Sequence, residues 1–303
     1  MRKNINNVKY IENQIITLQQ GISKLVDGDF VYIDDWGNLG DKLITLGALK
    51  LLENVKFQCK YKTTLDYIDF SKIGKNDIII VKGGGNFGDI YREQQLVRQR
   101  ITQKFPENKI VFFPQSTHYQ DESLIAEDAA IFAQHKNLTI VARDNVSFYF
   151  LKKYFAKNHI TLLPDTALGL YHFLPKKQKQ TGKTLYMNRK DVEKGEVISN
   201  VENMTEFDWD DLSKEKMYKF LRLPLRMQKK KAVFSKKFIN FYEFSVMYPY
   251  YCRRAARFFL QFDTIYTSRL HGAILAEMLH LNVHLLDNSY KKLSNYFGTW
   301  FKL

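Results

Sequence analysis

An α/β fold in two halves with a cleft between them is what this 303-residue sequence predicts, on three observations. Short apolar runs alternate with segments of helical periodicity through the first half, the mark of βα units and a parallel sheet covered on both faces. One polar, glycine-bearing stretch, Lys176 to Lys183 (KKQKQTGK), interrupts that alternation and reads as a linker. A new strand pattern opens at Thr184, so the chain divides into domains at 1–175 and 184–303, each of ordinary size.

The elements follow in order. Phe30 to Asp34 (FVYID) reads as a buried strand and Leu39 to Glu53 as the helix after it. Lys56 to Tyr61 is a second strand, and Asp77 to Lys82 (DIIIVK) a third, followed by GGGNFGD and a helix through about Lys104. Lys109 to Pro114 (KIVFFP) is apolar after its first residue, as a strand buried on both faces must be. Glu122 to His135 is helical, Leu138 to Ala142 a strand, Val146 to Phe155 a helix, and Ile160 to Leu163 a strand that stops at Pro164-Asp165. In the second half Thr184 to Met187 is a strand and VENMTEFDWDD an acidic loop. Arg253 to Gln261 is a helix, Thr264 to Thr267 a strand, Gly272 to Leu279 a helix, and Val283 to Leu286 the last strand.

Composition narrows the class. Hydrophobic residues make up 45% and aromatics 15%, enough for a real core and too much for disorder. Cys59 and Cys252 lie far apart without a CxxC or Cys/His cluster, which suits a reducing compartment and no structural metal. The N-terminus lacks the apolar run of a signal peptide, and no stretch approaches the roughly 18 apolar residues of a membrane span. A soluble, cytoplasmic protein is expected. The net charge of +14 is concentrated: residues 212–260 hold thirteen Lys/Arg against Glu215 and Glu243. Such a patch points to an anionic partner. No nucleic-acid recognition motif accompanies it. Tyr and Phe interleaved with lysine suit either a solvated face or a surface resting on anionic lipid headgroups, hence peripheral attachment to a membrane.

Ligands of parallel α/β sheets bind beyond the C-terminal strand ends, so residues after each strand carry the functional reading. In WGNLGD (36–41), Asn38 and Asp41 either cap the next helix or offer short polar groups to sugar hydroxyls. GGGNFG (83–88) matches GxGxxG, but it follows the third strand, and Pro114-Gln115 ends the next strand where an acid would grip a ribose. A dinucleotide site is therefore disfavoured, and so is a P-loop, for want of Gly-Lys-Ser/Thr. Gly84, Gly85, Asn86 and Asp89 read either as a close-packing turn or as a second polar loop for a polyol. Gln115 and His118 end another buried strand at that edge, His118 reading equally as a solvated loop histidine. Arg143 in VARDNVS pairs with Asp144, caps a helix, or offers its planar fork to a phosphate or carboxylate.

The sharpest signal is YTSRLHGAIL (266–275). The Ser268, Arg269, Leu270, His271 and Gly272 segment between that strand and the helix sets Arg269 and His271 on one side of an extended turn, with Leu270 turned inward. An arginine beside a helix N-terminus is built to hold an anion, and the histidine has the chemistry for proton transfer near neutrality. Two metal-like spacings carry less. His280 and His284 straddle a helix end and a strand start, so they share no face, and the Asp208-Trp209-Asp210 DxD reads as solvated charge within an acidic loop. No metal ligand is assigned.

With these residues in place the chain resembles the polysaccharide pyruvyl transferase family. The motifs run in order: NLGDKLITLGALKLL, VKGGGNFGD, FFPQS, ARDNVS, LLPDTAL, MNRKDVE and TSRLHGAILAEML, with the tail LLDNSYKKLSNYFGTW similar to the exopolysaccharide branch. The resemblance implies two Rossmann-like domains facing a cleft in a glycosyltransferase-B-like arrangement. It implies transfer of the enolpyruvyl group of phosphoenolpyruvate to a sugar, with no cofactor beyond that donor. Arg143, Arg269 and His271 would hold phosphoenolpyruvate, and the RxDxE segment falls on Arg189, Asp191 and Glu193. Thr117-His118 departs from the Ile-Gly of many relatives, and the lysine-rich segment 214–237 matches no family motif. The acceptor in such pathways is often a lipid-linked sugar at the inner membrane face. The rivals are a glycosyltransferase using a nucleotide-sugar, or a catalytically silent membrane- or polysaccharide-binding protein.

Overall fold

The computed structural model describes residues 8–35, 37–177, 179–187, 204–231, 233–287 and 291–301. The chain separates into two compact units. One comprises Gln14–Trp36 and Ala48–Thr166; the other comprises Met1–Asn13, Gly37–Gly47 and Ala167–Leu303.

The first described element is helix α1 (Val8–Leu25), which has no counterpart among the expected elements. Ile11, Ile15, Leu18, Ile22 and Leu25 recur at steps of four and three and are all buried, so the helical stripe is regular. Then follow β1 (Phe30–Asp34), α2 (Leu39–Leu52), β2 (Cys59–Thr64), β3 (Ile78–Val81), β4 (Gly84–Gly88), α3 (Arg92–Lys104) and β5 (Ile110–His118). The unit closes with α4 (Ser123–Ala133), β6 (Leu138–Ala142), α5 (Asn145–Tyr154) and β7 (His159–Leu162). The sheet order is β2-β1-β3-β5-β6-β7, every pair parallel, with β4 also pairing β5. β1, β3 and β6 are buried at every residue, which is why their sequences show no polar alternation. Phe87, Phe112, Phe132 and Phe155 knit β4 and β5 to the helices, with ring centroids 5.4–5.9 Å apart for Phe87–Phe155, Phe112–Phe132 and Phe87–Phe132.

The glycine run departs from expectation. Gly84–Gly88 is not a turn into a helix but a second length of strand, pairing the far half of β5 after β3 has paired the near half. Gly88 has φ +123°, and a methyl group there would lie 1.8 Å from the His118 carbonyl oxygen. Only glycine lets the two backbones approach so closely in that conformation.

The second unit holds a four-stranded parallel sheet, β11-β10-β8-β9, formed by β8 (Thr184–Met187), β9 (Met204–Phe207), β10 (Thr264–Thr267) and β11 (Asn282–Leu285). Between β9 and β10 run α6 (Trp209–Ser213), α7 (Lys216–Leu221), α8 (Leu223–Lys231), α9 (Lys236–Tyr242), a π turn at Glu243–Met247 and α10 (Tyr248–Phe259). The remaining helices are α11 (Leu270–Met278) and α12 (Lys292–Trp300).

The acidic segment is the larger surprise. Met204–Phe207 is a strand, Asp208 is buried, and Trp209 is buried with its ring stacked on Phe259 at 5.7 Å. Asp208 and Asp211 form a reciprocal capping box at the start of α6, and the buried Asp208 carboxylate serves protein donors instead of water. Lys176, Lys177, Thr181 and Gly182 of the expected linker are likewise tied down. Lys176 donates to the carbonyl oxygens of Tyr171 and Met278, and Lys177 to that of Leu260. Thr181 and Gly182 donate their amides to Asp263. A polar sequence thus satisfies the orphan carbonyls at the ends of α10 and α11.

Candidate functional site

The site in the second unit is organised by the N-terminus of α11. Strand β10 ends at Thr267, whose hydroxyl accepts from the Arg269 amide at 2.9 Å. Arg269 is extended and is the N-cap of α11, but its side chain supplies no cap to the helix. The helix starts two residues earlier than its apolar pattern suggests, so His271 sits in the first turn instead of before it. First-turn amides and the helix dipole favour an anion there. Ser268 is buried at the strand end, and a methyl group on Gly272 would meet the Met187 sulfur at 2.5 Å, so glycine allows α11 to lie against β8.

Arg269 is turned by Asp208. The Nε and Nη2 groups donate to the two carboxylate oxygens at 2.9 and 2.6 Å, and both residues are buried. A bidentate pair fixes the plane of the guanidinium as well as its position. Asp208 is itself held, since its amide donates to Asp211 and its Oδ1 accepts from the Trp209 amide at 2.7 Å. The sequence offered a signal for this pair, a DxD, but the pattern suggests metal or solvent before an arginine.

The segment Gly37–Gly47 belongs to the same unit and brings the first-strand loop to this site. A methyl group on Gly40 would lie 2.9 Å from the Trp209 indole nitrogen and 3.2 Å from the His271 Cβ. The tertiary fold therefore unites three separate sequence motifs around one glycine. Asn38 and Asp41 cap α2: Asn38 Oδ1 accepts from the Gly40 amide at 2.7 Å, and Asp41 accepts from the Asn38 amide at 2.8 Å. Lys42 reaches the Tyr248 hydroxyl at 3.1 Å.

The first unit carries the other expected residues. Arg143 is buried and does not pair with Asp144. It donates through Nη1 to Asp165 at 2.8 Å and through Nε to the Ser116 hydroxyl at 2.8 Å. Asp144 accepts from Ser116 and caps α5 by accepting from the Ser147 amide. Asn86 donates to Asp35 at 2.7 Å and accepts from Arg98 at 2.6 Å, while Lys82 donates to Asp35 at 2.6 Å. Gln115 donates to the Lys82 carbonyl at 2.9 Å. Burial pulls the Arg98 guanidinium below its ordinary value. Lys82 at the end of an all-apolar strand was a readable signal, because a buried ammonium demands a counter-charge, and Asp34-Asp35 end the neighbouring strand. Asp89 accepts from the Gln120 and Asp121 amides at 2.7 Å, and Gly84 and Gly85 lie at the start of β4. His118, half-buried, pairs with Gly88 at the end of β5.

Arg189, Asp191 and Glu193 lie outside the described residues. His280 takes a left-handed backbone, φ 62°, and its ring meets the Tyr171 hydroxyl at 2.9 Å, whereas His284 stacks on Tyr266. The two histidines thus serve separate aromatic contacts.

The family model described as "Polysaccharide pyruvyl transferase" matches residues 38–290. The chain is 33% identical to the Bacillus subtilis (strain 168) protein named "Putative pyruvyl transferase EpsO", over 95% of this chain and 92% of that one. It is 27% identical to "Pyruvyl transferase 1" of Schizosaccharomyces pombe, over 92% of this chain and 70% of the other. A crystal structure of an uncharacterized protein of Klebsiella pneumoniae superposes with a TM-score of 0.63 at 19% identity, covering 94% of both chains, a likeness of fold.

Proposed function

Because the chain belongs to the polysaccharide pyruvyl transferase family, we propose that it moves the enolpyruvyl group of phosphoenolpyruvate onto a sugar and closes it into a pyruvate ketal across two hydroxyls. The observation that carries this reading is Arg269, braced by Asp208 at the N-terminus of α11 with His271 in the first turn. A fixed cation, helix amides and an imidazole together suit a substrate that bears anionic groups and must gain a proton.

In the proposed mechanism His271 protonates the methylene carbon of phosphoenolpyruvate, leaving an oxocarbenium-like centre at the adjacent carbon. A sugar hydroxyl adds there and gives up its proton. The carbon–oxygen bond to phosphate then breaks, and Arg269 and the helix amides hold the departing charge. A second hydroxyl of the same sugar closes the ketal, so one phosphoenolpyruvate and one diol yield one ketal and one inorganic phosphate. Arg143 enters as a further anion contact, for which its pair with Asp165 would have to open or share the guanidinium. Asn38, Asp41, Asn86 and Asp89 are assigned to the sugar. The glycosyltransferase-B-like arrangement is part of the proposal, and a crystal structure with donor bound tests it. The reading includes a lipid-linked acceptor, and so work at the cytoplasmic face of a membrane. Among the described residues no helix is long and apolar enough to cross one.

The test is mass spectrometry of candidate sugars, free and lipid-linked, incubated with the protein and phosphoenolpyruvate, with phosphate release measured in parallel. A ketal product and stoichiometric phosphate are expected. Turnover of a nucleotide-sugar with none of phosphoenolpyruvate would overturn the reading in favour of a glycosyltransferase, which the family match does not favour.

A further inference from the structure

The helices between Lys216 and Tyr242 turn apolar side chains to solvent. About half of the exposed large hydrophobic residues among those described lie at 217–246, a tenth of the chain. Their direction follows from helix geometry. Tyr218 and Leu225, seven residues apart, face the body of their unit, Tyr218 stacking on Tyr251 at 4.5 Å and Leu225 buried. Two residues further along each helix, about 200° round its axis, Phe220 on α7 and Met227 on α8 are 67% and 41% exposed. Met217 on α7 and Leu223 on α8 lie beside them on their own helices, at 50% and 47%. On α9, Ile239 and Asn240 are buried while Phe238 and Phe241 are 43% and 59% exposed.

The same helices carry Lys219, Arg222, Arg226, Lys229, Lys230 and Lys231, all exposed, and α9 opens with Lys236 and Lys237. The one acid from 216 to 246, Glu243, is buried. Solvent-facing apolar side chains beside a run of exposed cations are not explained by solubility, which cations alone would serve. A nucleic-acid duplex would take the cations and leave the phenylalanines wet, since its bases are stacked on one another. A second copy of the chain would set like charges against each other. An anionic bilayer surface accepts both, its acyl boundary taking the apolar stripe and its headgroups the lysines.

We propose that the outward face of the helices spanning 216–242 docks on anionic lipid, with Phe220, Met227, Phe238 and Phe241 entering the headgroup boundary. This attachment needs neither donor nor sugar, so its test is separable from that of the transferase reading.

The intact protein is sedimented with vesicles of phosphatidylcholine alone and of equal parts phosphatidylcholine and phosphatidylglycerol. Binding to the anionic vesicles that weakens with salt, and little to the neutral ones, is expected. Reversing Lys229, Lys230 and Lys231 to Glu should weaken that binding by at least about a hundredfold. Phe220→Ser with Met227→Ser should weaken it about tenfold at low salt, since those side chains contribute apolar burial. All five positions are exposed, so melting temperatures close to wild type show that the fold persists. Failure of the wild type to bind anionic vesicles overturns the proposal. So does equal binding by the variants, or a dimer in solution that Phe220→Ser with Met227→Ser dissociates.

Discussion

Asp208 and Arg269, sixty-one residues apart in sequence, form a buried bidentate ion pair with donor–acceptor distances of 2.9 and 2.6 Å. The pair turns a flexible arginine into a fixed one beside the start of α11. Asp208→Ala leaves a buried guanidinium without its partner, which costs about 3–5 kcal/mol and should lower the melting temperature accordingly. Asp208→Asn keeps the shape but loses the charge; an Arg269 displaced by about 1 Å should cost roughly a hundredfold in kcat/KM. Normal turnover by Asp208→Asn would show that the pair is only structural.

His271→Gln tests proton delivery. The proposed mechanism expects turnover to fall about 10²–10⁴-fold with little change in melting temperature, because the side chain is only half-buried. A fall confined to KM would assign His271 to binding and remove it as the acid.

Gly40→Ala probes the junction of the three motifs. The added methyl group meets the Trp209 indole nitrogen and the His271 Cβ at 2.9 and 3.2 Å, so α2, α6 or α11 must shift. A loss of about 1–3 kcal/mol is expected, together with reduced activity. Unchanged activity at unchanged stability would mean that the junction yields freely and does not align the site.

Gly88→Ala should be far more damaging, since the methyl group would fall on the His118 carbonyl oxygen in a backbone conformation reserved for glycine. Soluble expression with a wild-type melting temperature would contradict the strand pairing of β4 with β5.

Lys176 sets a pH dependence. Burial pulls its ammonium from 10.5 down to about 8. Below about 8 the folded and unfolded chains both hold this proton; from there to 10.5 the unfolded chain holds more, so the contribution to stability rises with pH across that window. The melting temperature of wild type relative to Lys176→Met should therefore climb from pH 8 to 10.5. A constant difference would show that the lysine is not desolvated.

The sequence by itself determined the parallel α/β alternation, because strands such as Ile78–Val81 are buried at every residue and so read as unbroken apolar runs. It also put Arg269 and His271 between a strand end and the opening of a helix, which is where the structure has them. Only the tertiary structure decided what those residues touch. Asp208 reads as solvent-facing within an acidic run, and Arg143 reads as a partner of adjacent Asp144, a helix cap or a fork for an anion, yet in the structure they pair with Arg269 and Asp165. Local pattern reports burial and periodicity; the choice among several carboxylates for one buried guanidinium is made by distance, and distance is set when the chain closes on itself.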